Sequence, residues 1–192
     1  HSRGAENGRR PAVVRALAKI VRADSALWVT PEFDNYTFMF HFAGDDRSSD
    51  GMEHLTSTQI IEPGVLADGD AYEGALRTAA HEFFHAWNVK RLRPIELGPW
   101  DWTKPAATRG LWIAEGFTQY YGVLAYERAG FQDSGELLLD IARTIATIEN
   151  SPANKLMSAE ASSMAAPFID AALHRQKTNL SNTSLSYYLK GE

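Results

Sequence analysis

Residues 79–93 read AAHEFFHAWNVKRLR, and within them His81, Glu82 and His85 form an H-E-x-x-H set. Ala75, Leu76, Ala79, Ala80, Phe83, Phe84 and Trp87 recur at spacings of three and four, the apolar rhythm of a helix set against a core. No Gly or Pro interrupts positions 75–93, so the pattern predicts one helix over that span, stopped by Pro94. Residues four apart on a helix differ by only about 40° around its axis, which points His81 and His85 the same way, one turn apart. Two such imidazoles can share one metal ion. Zn2+ suits them, because it takes neutral nitrogen ligands and keeps one tetrahedral position for water. Glu82, beside the first ligand, can accept a proton from that water. The competing reading makes the two histidines core residues bonded to backbone carbonyls.

A two-histidine site lacks its third protein ligand, so a carboxylate or imidazole from a second helix is required. Residues 111–122, LWIAEGFTQYYG, offer Glu115 among Leu111, Trp112, Ile113, Ala114, Phe117, Tyr120 and Tyr121. An unpaired carboxylate in apolar surroundings is costly, and a metal removes that cost. The other partner available to Glu115 is a cation from Lys90, Arg91 or Arg93.

Together HEFFHAWNVKRLRP and LWIAEGFTQYYG resemble the glycyl aminopeptidase family of zinc peptidases, within the wider group whose zinc is held by two His and one Glu. Glu115 follows His85 by thirty residues, whereas thermolysin and the better-known aminopeptidases resemble one another in a spacing of about twenty. The intervening segment with WDWTKP is similar to the glycyl aminopeptidase pattern. The resemblance implies His81, His85 and Glu115 as ligands of one zinc per chain, with Glu82 as general base. It also implies an α+β fold of the thermolysin-like zincin type, a strand-bearing lobe packed on a helical lobe with zinc between them.

Around this centre, 192 residues at 44% hydrophobic suffice for a real core, and no repeat or low-complexity run appears. A net charge of −5 argues against a nucleic-acid surface, which needs a concentrated basic face. The basic cluster Lys90–Arg93 reads as a solvated helix end. The absence of cysteine excludes disulfides and thiolate-held zinc and leaves the compartment open. No run of eighteen apolar residues predicts a membrane span, and no signal-peptide pattern opens the chain, which starts at His1; a removed signal would make the protein extracytoplasmic.

Residues 11–28 are patterned as a helix with Pro11 in its first turn and Val14, Leu17, Ile20 and Val21 on one side. In NYTFMFHF, residues 35–42, Tyr36, Phe38, Phe40 and Phe42 alternate against Thr37, Met39 and His41, which predicts a strand with His41 on the face away from the aromatics. AGDDRSSDG then turns the chain toward a second β-prone run, Met52–Ile61, to give a hairpin or two adjacent strands. The breakers of EPGVLADGD divide a β-rich part, 1–70, from a helical part, 71–192. Helices are expected over 111–129, ended by Gly130, and over 134–149, with Ser134 as N-cap. His174 reads as a surface helix residue.

Two further stretches extend the resemblance. Gly51, Met52 and Glu53 open the second β-prone run and resemble the G-x-M-E-N stretch of zinc aminopeptidases, with His54 in the Asn place. A strand there can bind an extended peptide through its main chain, and Glu53 can hold the peptide's free ammonium. Tyr188, in Tyr188-Leu189-Lys190-Gly191, resembles the tyrosine that donates to the oxyanion in those enzymes, Tyr187 being its neighbour. Tyrosine stays neutral at pH 7 and still donates to developing negative charge. The expected function is zinc-dependent hydrolysis of peptides with a small N-terminal residue; the alternative is a zinc-stabilised peptide-binding module without turnover. The chain stops at Glu192 where a helix is expected to continue, as a piece of a longer protein would.

Overall fold

The computed structural model describes residues 6, 8–28, 33–44, 49–173 and 180–192. His174 and part of the AGDDRSSDG turn lie outside the described residues. In chain order the elements are α1 (Arg10–Leu27), β1 (Thr37–Phe42), β2 (Asp50–Glu53), β3 (Ser57–Glu62), α2 (Gly69–Phe84), α3 (Leu111–Arg128), α4 (Ser134–Asn150), α5 (Ala159–Leu173), α6 (Leu180–Thr183) and α7 (Tyr187–Gly191). Helices joined to one small sheet make the fold α+β. Two compact units are present, one combining His1–Arg91 with Tyr121–Asp133, the other Leu92–Tyr120 with Ser134–Glu192, and α3 is continuous from the second into the first.

In the first unit α1 begins on Pro11, whose fixed φ suits the opening turn. Its buried stripe is Ala16, Ile20 and Asp24; Ile20 is buried as expected, whereas Val14, expected on the same side, is exposed. Leu17 and Val21 flank that stripe and are partly buried. Ala16 and Ile20 pack with Leu76, Ala80 and Tyr126.

The described sheet has the order β1-β3-β2, with β1 parallel and β2 antiparallel to β3. The run Met52–Ile61 is therefore not one strand. The chain turns between Glu53 and Ser57, closed by the His54 N–H donating to the Ser57 carbonyl at 2.8 Å, and folds β2 back onto β3. β1 and β3 are spatial neighbours but no hairpin, since they run the same way and β2 occupies their connection. Register partners share a face of a sheet. Phe38, Thr58 and Glu53 thus form one row across the three strands, and Phe40, Ile60 and Gly51 the next. Onto this face α2 brings Phe83, fully buried, with its ring 4.9 Å from Tyr36 and 5.9 Å from Phe38.

In the second unit the start of α3 is held by its Trp112 N–H, which donates to the Ser163 hydroxyl at 2.9 Å. One turn later Gly116 meets the backbone of Gly191 so closely that neither position has room for a side chain. The Ser186 hydroxyl caps α7 by accepting from the Tyr188 N–H at 3.2 Å, and the Lys190 ammonium donates to the carbonyls of Asn154 and Met157. Among the described residues, no helix is long and apolar enough to cross a membrane.

Candidate active site

The helix carrying the H-E-x-x-H set ends at Phe84, nine residues short of the expected last helical residue, Arg93. His85 is its C-cap and keeps helical angles, φ −59° and ψ −15°, so the one-turn relation to His81 survives. Beyond it the chain tightens: the Ala86 and Trp87 N–H groups donate to the carbonyls of Phe83 and Phe84, and the Arg91 guanidinium donates to the Ala86 carbonyl at 2.5 Å. These bonds satisfy carbonyls that a longer helix would have used.

The imidazoles of His81 and His85 lie edge to face, and their Nε2 atoms are 3.2 Å apart. His85 is buried, and its Nδ1 lies 2.6 Å from the Asn88 carbonyl oxygen. A carbonyl only accepts, so Nδ1 carries a proton, and in the neutral ring the Nε2 lone pair is then presented toward His81. Two nitrogens at 2.0–2.1 Å from a tetrahedral ion stand about 3.3 Å apart. The donor pair and its orienting carbonyl fit such an ion.

Glu82 is buried. It lies under β2 at Gly51, where an added Cβ would collide with the Glu82 carboxylate. Ligand atoms of Glu53, Glu82 and His85 all lie within 4.8 Å of one another. The Glu53 carboxylate is engaged elsewhere, 2.9 Å from the Lys90 ammonium. Lys90 is thus drawn inward rather than sitting on a solvated helix end. β2 is an edge strand of the described sheet, and along it the side chains alternate. Gly51 and Glu53 face α2, whereas the Met52 side chain is exposed and its carbonyl accepts from the Thr58 hydroxyl at 3.0 Å.

One residue gains a place that periodicity alone did not give it. Tyr36 sits just before β1 on the aromatic face, with its hydroxyl buried and unpaired among the described residues. Burial, and then the charges of Glu82 and Glu53, hold its phenol well above the usual tyrosine range. The aromatic alternation marked its face, but its carboxylate neighbours depend on strand order.

Glu115 and Tyr188 belong to the second unit. Glu115 is half-buried on α3, between buried Ala114 and Gly116. Tyr188 is half-buried on α7, whereas Tyr187, stacked on it at 4.7 Å, is a core residue. His41 is half-buried on β1.

The family model of the M61 glycyl aminopeptidases matches residues 74–192. The chain belongs to the M61 glycyl aminopeptidase family. The match takes in His81, Glu82, His85, Glu115 and Tyr188 of this M61 chain and begins after Gly51, Met52 and Glu53. Among solved structures, an aminopeptidase N family protein from Idiomarina loihiensis is similar, with a TM-score of 0.85 and 28% identity over 98% of this chain and 32% of the other. The M61 chain thus spans about a third of that relative's length. No curated protein matches it. Both resemblances are to peptidases, and the structure has His and Glu groups able to hold a metal.

Proposed function

We propose that the chain is the catalytic part of a thermolysin-like zinc peptidase that removes small N-terminal residues from peptides. The observation that carries this reading is the His81–His85 pair, Nε2 to Nε2 at 3.2 Å with His85 oriented by the Asn88 carbonyl, inside the family-matched segment. His81, His85 and Glu115 would hold one Zn2+. Support for Glu115 comes from its own helix. It stands two turns before Gly122 on the same face of α3, and Gly122 lies against the His81 backbone.

Held there, Zn2+ would supply Lewis-acid chemistry, polarising the scissile carbonyl and lowering the pKa of a bound water toward neutrality. The remaining roles fall to side chains. Glu82, buried beneath Gly51, takes the proton of the attacking water on its carboxylate and returns it to the departing amine. Tyr188 donates its phenolic hydrogen to the developing oxyanion. The β2 edge lends main-chain groups to an extended substrate, and Glu53, two residues after Gly51 on the same face, anchors the substrate's ammonium. The preference for Gly or Ala is supported by the family's name.

Glu82→Gln and Glu115→Ala test the reading when metal content and hydrolysis of a free-N-terminal Gly peptide are measured together. Glu82→Gln is expected to keep zinc and lose about 10²–10⁴ in kcat. Glu115→Ala is expected to lose both zinc and turnover. Zinc-replete protein that does not hydrolyse peptides before mutation would instead favour a binding module.

A further inference from the structure

The acid proposed to anchor the substrate's ammonium already holds one. Lys90 Nζ is 2.9 Å from Glu53 Oε1, and the side chains of both are only about a fifth exposed, 21% and 20%. This is not a loose surface pair. The Lys90 N–H donates to the His85 carbonyl at 3.0 Å, next-door Val89 is buried, and the Arg91 N–H donates to the Trp87 carbonyl at 3.0 Å. The backbone that launches Lys90 is therefore fixed on both sides, and while the Arg91 guanidinium turns back to the Ala86 carbonyl, Lys90 turns toward β2. A lysine ammonium and a peptide's α-ammonium are the same recognition group, a compact cation with three N–H donors.

We propose that Lys90 is a specificity-determining residue, a tethered ammonium that occupies Glu53 in the free enzyme and that the substrate's N-terminus must displace. The inference rests on Glu53 being the amine anchor. An anchor filled internally binds an external amine only in the fraction of molecules where it is free, so apparent affinity falls by that fraction. Peptides without a charged N-terminus do not compete for Glu53 and carry no such penalty. The pair thus narrows acceptance to substrates whose ammonium is placed well enough to win the exchange, and it keeps Glu53 satisfied when no substrate is bound.

The test uses a Gly-initiated peptide and its N-acetyl counterpart on wild type, Lys90→Met, Lys90→Gln and Lys90→Arg, with thermal melts to establish folding. Either neutral variant is expected to lower KM for the free peptide about three- to tenfold with kcat unchanged, and to leave the acetylated peptide's KM alone. Lys90→Arg, which keeps the charge, is expected to stay near wild type. Unchanged or raised KM for the free peptide in a folded neutral variant overturns the proposal. Glu53→Gln separates the two levels of the argument. If it removes the preference for the free peptide while the neutral Lys90 variants leave KM unchanged, the anchor stands and the Lys90 role falls. If Glu53→Gln leaves the preference intact, the anchor itself is wrong and the Lys90 role falls with it.

Discussion

Gly122→Ala is the substitution with the sharpest structural expectation. A Cβ there would stand 2.9 Å from the His81 Cα, 3.0 Å from its N and 3.4 Å from the Ala80 carbonyl carbon. All three are backbone atoms of α2, so no side chain can swing aside, and α2 and α3 must separate by about 0.5 Å to restore an ordinary contact. Overpacking of this kind costs about 1–3 kcal/mol, while replacing a helical glycine by alanine returns about 1 kcal/mol of propensity. The net loss is about 1 kcal/mol, or roughly 2–4 °C in Tm for a chain of this size. Gly69, at the start of α2 with nothing within 4 Å of its would-be Cβ, is the control. The same chemical change there should raise stability by about 0.4–1 kcal/mol. The site should feel the first change and not the second, because metal geometry tolerates displacements of only about 0.5 Å. The assay is thermal melting of both variants alongside zinc titration. A Gly122→Ala protein as stable as Gly69→Ala, with undiminished zinc affinity, would refute the close-packing argument.

Gly51→Ala places a methyl where the Glu82 carboxylate lies, and because that carboxylate ends a flexible chain the cost should fall on activity. If Glu82 is the general base as proposed, a shift of about 1 Å predicts roughly a hundredfold lower kcat with zinc content unchanged, measurable in the hydrolysis assay. Asp24 is fully buried in α1, and burial holds its carboxyl well above the usual range. The fold therefore favours its protonated form, and stability falls as pH rises from the unfolded value near 3.9 through the raised folded one. Asp24→Asn should abolish that decline, lifting Tm at pH 8 more than at pH 4.5 in a series of melts.

The helices were legible where periodicity coincided with a breaker. Pro11, Gly130 and Ser134 put the expected bounds of α1, α3 and α4 within about a residue of those observed. α2 was not, because the absence of Gly and Pro removes a stop signal without supplying a reason to continue. Its true end is set by bonds from outside the helical ladder, the Arg91 guanidinium on the Ala86 carbonyl and the Asn88 carbonyl on His85. The strands were readable as strands, but alternation specifies a face and not a neighbour, so the parallel pairing of β1 with β3 was beyond it. The candidate site divides in the same way. The fixed interval from His81 to His85 is local and was visible. The approach of Lys90 to Glu53, and of Tyr36 to the charges of Glu53 and Glu82, joins segments whose proximity only strand order and a tertiary turn create.

The pleat of β2 carries a consequence for how such a cleft can change. Gly51 lies over Glu82, the proposed general base, and Glu53, the proposed amine anchor, faces the same way two positions later, so the two places along β2 are one pleat repeat apart, about 6.8 Å. That separation moves only in steps. Inserting or deleting one residue between them sends the anchor to the opposite side of the sheet, and the next spacing that keeps it facing the base lies a whole repeat further on. Fine adjustment is left to the reach of the side chain, one methylene between Asp and Glu. A ruler built on a strand therefore drifts poorly, and under the proposed function a lineage that keeps this edge inherits a nearly discrete choice of where along a peptide it cuts.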